Sequence, residues 1–216
     1  MRQLSVKNCF FIVVIILVIS FSLNIYFALD NKKYERKIGE KSNNEICSIK
    51  DKNEANLIML EMVTEKGSIS KKDITKLYSN YNDISKNLYT LLEEYNEYKE
   101  DRTIFNKKIV ENNGLILDDI YAKGNTFILY IMENNETQSI EGTKVFKLNE
   151  SDKVNFKMLY NLSLEIEKYF EDLTEKFPIS GNEFKNEIIK NRLWIDILDD
   201  LKKINDKYSS FTLPIK

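Results

Sequence analysis

SISKKDITKLYSNYNDISKNLYTLLEEYNEYKED, residues 68–101, carries an apolar or tyrosine side chain at alternating intervals of three and four: Ile74, Leu77, Tyr81, Ile84, Leu88, Leu91, Tyr95 and Tyr98. Such intervals return to one side of a 3.6-residue helix, so the stretch predicts a long helix with a single buried stripe. Ser70 stands at the N-cap position, and Asp73 three residues later makes an aspartate variant of the capping box while favouring the positive helix start. Phe105 and Ile109 extend the stripe until ENNG, residues 111–114, closes it. The spacing fits a two-chain coiled coil or one arm of an intramolecular bundle. The bundle is the expectation, because the chain holds other amphipathic segments and the seam tyrosines are bulkier and more polar than zipper residues.

Those other segments lie on both sides. In residues 42–67, Ile46, Ile49, Leu57, Leu60 and Val63 fall near one helical stripe, interrupted by Asn53, and Gly67 is a stop signal. In residues 151–178, Ser151 is an N-cap candidate, Phe156, Leu159, Leu162, Ile166, Tyr169, Leu173 and Phe177 form an apolar face, and Pro178 ends the helix. After ISGN, residues 184–208 place Phe184, Ile188, Ile195, Leu198, Leu201 and Tyr208 on one broad side, flanked by Trp194 and Ile204. The short connection predicts that these last two helices are antiparallel neighbours. Between them and the opening stripe, residues 114–152 contain Gly124 and Gly142 and keep no single period. Helix plus loop is the expectation for 126–148, with an antiparallel strand pair as the alternative.

The chain also has one long apolar run, CFFIVVIILVISFSLNIYFAL, residues 9–29, uncharged throughout. A helix of that length is about 31 Å long, the thickness of a bilayer's hydrocarbon layer. A cleaved secretory signal has a shorter apolar region and small residues at its exit, whereas this run leaves through IYFALDNKK, so an uncleaved anchor is expected. Tyr26 and Phe27 suit the boundary between hydrocarbon and headgroups. Arg2 and Lys7 precede the run, while Lys32, Lys33, Arg36, Lys37 and Lys41 follow it. That count alone favours a cytoplasmic domain; the habit of N-terminal anchors to export one long following domain favours the other side, and residues 30–216 are expected to be extracytoplasmic.

The fold class expected is mainly α: a single N-terminal transmembrane helix followed by an antiparallel helical bundle, with a small irregular or β-hairpin insertion. Residues 1–8 form a short tail, 9–29 the anchor, 30–44 a charged stalk or helix continuation, 45–213 the helical domain and 214–216 a tail.

Composition excludes much chemistry. The chain has no histidine, which removes histidine acid–base catalysis, Ser-His-Asp and Cys-His arrangements and histidine-containing metal sites. Of two cysteines only Cys47 lies beyond the apolar run, so no disulfide framework exists. A reduced, packed thiol is its expected state. The six glycines are too scattered to cradle a phosphate. With 32 basic and 34 acidic residues mixed together, nothing attracts nucleic acid. Asp118 and Asp119, or Asp196, Asp199 and Asp200, bring carboxylates close, but a charge-rich helix surface yields such clusters readily. No catalytic residue, cofactor or metal is expected.

What remains is aromatic. Tyr78, Tyr81, Leu88, Tyr95, Tyr98 and Trp194 make an interaction or packing surface, with core packing favoured. The function expected is a membrane-anchored, non-enzymatic interaction or scaffold protein, held in the bilayer through residues 9–29. It would present its helical domain to another membrane or envelope protein, or to a second copy. The alternative is a helical sensor that binds a small ligand and signals through a partner membrane protein.

Overall fold

The computed structural model describes residues 6–101, 108–110, 120–140, 142–177 and 182–208. It opens with α1 (Val6–Lys66), one helix of 61 residues, about 90 Å long at 1.5 Å per residue. Residues 10–29 are exposed throughout, and the charged stretch after them continues the helix without a break. From Ile38 the same helix becomes core: Ile38, Ile46, Ile49, Leu60 and Val63 are buried, and Ser42, Asn53 and Asn56 are buried among them. Asn53 does not interrupt this stripe. Its amide is satisfied inside, donating to the Ser163 carbonyl at 2.9 Å and to Glu167 at 3.3 Å.

Gly67 ends α1 at φ 62°, a left-handed value that suits a residue without Cβ. A short strand β1 (Ser68–Ser70) leads into α2 (Lys71–Glu100). Ser70 caps α2, its Oγ accepting the Asp73 N–H at 3.0 Å and donating to the Asp73 carboxylate at 2.6 Å. The whole stripe from Ile74 to Tyr98 is buried. α2 runs back along α1: Asn80 donates to Asn56 at 2.8 Å, Asn87 to Ser48 at 2.9 Å, and Ser42 to Glu94 at 2.9 Å. The expected extension of the stripe fails, since α2 stops at Glu100 and Ile109 lies outside any helix, 53% exposed. Here the chain folds back, Lys108 N–H donating to Tyr98 Oη and Val110 N–H to Tyr95 Oη. Phe105 and residues 111–114 lie outside the described residues.

α3 (Ile120–Asn134) is helical where the sequence kept no period. Its buried residues, Ile120, Tyr121, Gly124, Phe127, Ile128 and Ile131, do repeat every three or four. The repeat is hidden in the sequence because Leu129 is exposed and Tyr130 and Met132 are only partly buried. β2 (Thr137–Ile140) and β3 (Thr143–Lys147) follow, paired antiparallel with Ile140 opposite Thr143 and Gly142 in the turn at φ 79°. Of the two expectations for 126–148, the helix therefore holds as far as Asn134 and the strand pair holds only after it; β1 joins the pair on the other side of β3, Ile69 opposite Phe146, to give the order β1-β3-β2. Ile69 and Phe146 are buried, so the helices cover this face of the small sheet.

α4 (Glu150–Lys176) starts from Asn149, not Ser151. Asn149 Oδ1 accepts the Asp152 N–H at 2.9 Å, and Asp152 returns by accepting the Asn149 N–H at 3.1 Å. Asn135 also donates to Asp152, which fixes the hairpin to the helix start. The last segment is two helices, α5 (Asn182–Lys190) and α6 (Leu193–Lys207), because Arg192 adopts φ 55° between them. α5 packs chiefly on α1, and α6 touches α4, α1 and α2, so the expected simple pairing of two final helices is replaced by a bent one. The chain is thus mainly helical with a small three-stranded antiparallel sheet, and among the described residues one apolar helix is long enough to cross a membrane.

Candidate functional site

The residues singled out by sequence do not share a surface. Tyr81, Leu88, Tyr95, Tyr98 and Trp194 are buried, and Tyr78 is half-buried against the core. Tyr95 and Tyr98 both meet Trp194 edge-on, with centroids 6.4 and 6.0 Å apart and interplanar angles of 74° and 79°, the arrangement that a ring quadrupole favours. Burial pushes the Tyr98 hydroxyl pKa up, opposed by the Lys108 N–H that it accepts. Arg192 lies over the Tyr98 ring at 5.4 Å and pairs with Glu35 of α1 at 2.7 Å. This aromatic node joins α2, α6 and α1 at the level where α1 leaves the domain toward its apolar stretch. Tyr81 sits elsewhere, 6.0 Å from Tyr121 of α3. These side chains pack the domain together.

Next to the node lies a buried carboxylate within the run EEYNEYKED, residues 93–101, whose charge density suggests a solvated helix surface. Glu94 of α2 is 5% exposed, accepts Ser42 Oγ and pairs with Lys41 at 2.6 Å. Its signal was positional: Glu94 stands beside Tyr95 within the buried stripe, as Asn80 stands beside Tyr81. Asp196, Asp199 and Asp200 of α6 are partly buried, Asp199 the most, and each has a lysine beside it. Asp196 pairs with Lys108, and Lys203 bridges Asp199 at 2.7 Å and Asp200 at 2.9 Å. Among the described residues no group of three or more Cys, Asp or Glu side chains is arranged to hold a metal. Asp118 and Asp119 lie outside the described residues.

A groove of about 740 Å³ lies between α1 and α4, lined by Cys47, Lys50, Asp51, Glu167, Glu171, Thr174 and Glu175. Burial raises the Cys47 thiol pKa and Asp51 raises it further, which suppresses the thiolate and makes a poor nucleophile. Burial likewise raises the Glu167 carboxyl pKa, against the opposing hydrogen bond from Asn53. The groove therefore offers carboxylates on both walls and one lysine, and its lining holds no nucleophile paired with a base. Neither protein-family models, curated proteins nor solved structures gave a match to this chain.

Proposed function

We propose that this protein is a single-pass, membrane-anchored, non-enzymatic interaction or scaffold protein, which presents a helical bundle to a partner at the cell envelope. One observation carries the reading: the apolar stretch and the central core helix are the same helix, α1. A stalk would let the domain swing. A helix continuous through Glu35, Ile38 and Ser42 fixes the domain's height and rotation relative to the bilayer, a property useful for positioning and irrelevant to a freely diffusing enzyme. The continuous helix also speaks for an anchor over a removed leader, because the run has no break at its exit. Residues 30–216 stand on the extracytoplasmic side in this reading, and no cofactor or nucleic acid takes part.

The test is fractionation and surface labelling of the full chain. Alkaline carbonate should leave it in the membrane pellet, deletion of residues 9–29 should release it, and a membrane-impermeant amine reagent should label its lysines in intact cells. Release of the full chain by carbonate contradicts the anchor; labelling only after lysis contradicts the placement.

The sensor reading is favoured by one feature, the α1–α4 groove, because its wall is the same helix that enters the apolar segment. A small cation that raised the melting temperature of the full chain, and lost that effect in Glu167→Gln, would support it over the scaffold.

A further inference from the structure

The turn between α5 and α6 is where the domain comes down toward the bilayer. Lys185 pairs with Glu40 at 3.5 Å, a Cβ on Gly39 would meet Ile189, and Arg192 pairs with Glu35 at 2.7 Å. α5 therefore descends along α1 toward the apolar stretch. α6 climbs away again: Trp194 meets Tyr95 and Tyr98, while Asn205 accepts from Tyr121, which lies against Tyr81. Glu35 and Gly39 stand six and ten residues beyond Leu29, about 9 and 15 Å along the helix axis. Lys190, which follows Ile189 and precedes Arg192, is exposed at that height. A headgroup layer is roughly 5–8 Å deep, so the turn sits close above it and the four-carbon stem of a lysine bridges the gap.

Ion pairing leaves this end of the domain basic on one side. In residues 30–41 of α1, Glu35 is matched by Arg192, Glu40 by Arg36 and Lys185, and Lys41 by Glu94. Lys32, Lys33, Lys37 and Lys190 are exposed, and none has an acidic partner among the described residues. The remaining acidic groups near them in the chain are Asp30 and Glu187, the second of which accepts from Asn191. Lys32 is seven residues below Gly39, within about 20° of two full turns, and so lies beneath α5. The acidic end of α2 is across the helix: Glu97 and Asp101 lie near Tyr34, which leaves α1 about 200° around from Lys32. The charge under α5 is positive.

We propose that Lys190, with Lys32 and Lys33, binds the phosphates of anionic lipid headgroups and so gives the domain a second hold on the bilayer. The bilayer is the occupant because α1 brings this face to its surface and the signs are complementary. Anionic headgroups attract lysines near the surface, and the attraction fades within a Debye length. The contact spans two elements that are distant in sequence, α1 and α5. Where α1 alone sets the height of the domain, a second point off its axis opposes tilting. The proposal rests on the membrane-anchor reading, adds a lipid class to the contacts which that reading requires, and holds on either side of the bilayer.

The test follows acetylation of single lysines by an uncharged reagent, read by mass spectrometry, on the full chain in nanodiscs. Discs of phosphatidylcholine alone are compared with discs in which a third of the lipid is phosphatidylglycerol. Lys72, exposed at the start of α2 and far from the bilayer end of the domain, is the reference. Relative to Lys72, acetylation of Lys190, Lys32 and Lys33 should be about fivefold slower in the anionic discs. Slowing of Lys32 and Lys33 with Lys190 unchanged overturns the contact, because only the flank of the anchor then meets the lipid. Equal rates in both discs, or equal slowing of Lys190 and Lys72, overturn it as well. Slowing by inorganic phosphate added to the phosphatidylcholine discs would assign the lysines to a dissolved anion and overturn the lipid contact. Release of the full chain from membranes by carbonate overturns the anchor itself and with it the proposal, so the two failures are distinguishable.

Discussion

A Cβ placed on Gly39 would lie 2.9 Å from the Cα of Ile189, closer than packed atoms tolerate. α1 and α5 thus meet backbone to backbone, just above the apolar stretch, and Gly39 is what permits it. Gly39→Ala is expected to destabilise the domain by about 1–3 kcal/mol, as overpacked sites do, against the small gain in helix propensity. Urea denaturation of the full chain in detergent, followed by circular dichroism, reads this out. A midpoint equal to or above that of the unsubstituted chain would show that α5 is not held there.

Asn80 donates to Asn56 at 2.8 Å, leaving Asn56 Nδ2 and Asn80 Oδ1 without partners in the core. Asn80→Ala should cost about 1–3 kcal/mol, because it strands the Asn56 amide entirely. Replacing both by leucine should come within about 1 kcal/mol of the unsubstituted chain, since no polar group is then left buried. Denaturation of the two single variants and the double one gives the coupling. Additive losses would refute the pairing.

Arg192 holds φ 55° while its guanidinium pairs with Glu35 and stacks on Tyr98. Arg192→Ala and Arg192→Gly lose the guanidinium alike, but only glycine relieves the left-handed backbone. The glycine variant should be the more stable by about 1 kcal/mol. Thermal melts showing alanine equal or superior would mean that this backbone turn is not retained.

Burial raises the carboxyl pKa of Glu167 above its ordinary value, the largest of several causes. An acid raised on folding binds more protons in the folded state, so its contribution falls as pH rises from the unfolded pKa through the folded one. Glu167→Gln should remove that decline. The variant should gain on the unsubstituted chain as pH rises from the ordinary carboxylate range toward neutrality, and the two should converge below it. A difference that is flat with pH, or that grows on acidification, would contradict the shift.

The parts of the fold legible in the sequence were those where one side of an element is buried and the other is wet. The stripe from Ile74 to Tyr98 and the face of α4 are of that kind, and local signals marked the start of α2 at Ser70 and the end of α1 at Gly67. α3 escaped because Leu129, Tyr130 and Met132 blur its period. The three-residue strand β1 escaped because it is sustained by pairing with β3, more than seventy residues on. Arg192 gave no sign of a break, since its left-handed backbone is stabilised by contacts to Glu35 and Tyr98 that only the folded chain assembles. The division of the aromatic residues between the Trp194 node and the Tyr81–Tyr121 contact depends on helix placement, which no local pattern encodes. Glu94 and the asparagines of the core were hidden by their type, polar residues being expected outside.

The central claim is that the apolar segment and the core helix are one rigid element, and a distance measured along α1 tests it most directly. Spin labels at Ile25 and Ile58, both exposed, in a chain with Cys9 and Cys47 replaced by serine and reconstituted in nanodiscs, are separated by thirty-three residues of helix. Pulsed electron resonance should give one narrow distribution centred near about 50 Å. A broad distribution, or a main distance well below that value, would show a hinge between bilayer and domain and contradict the account.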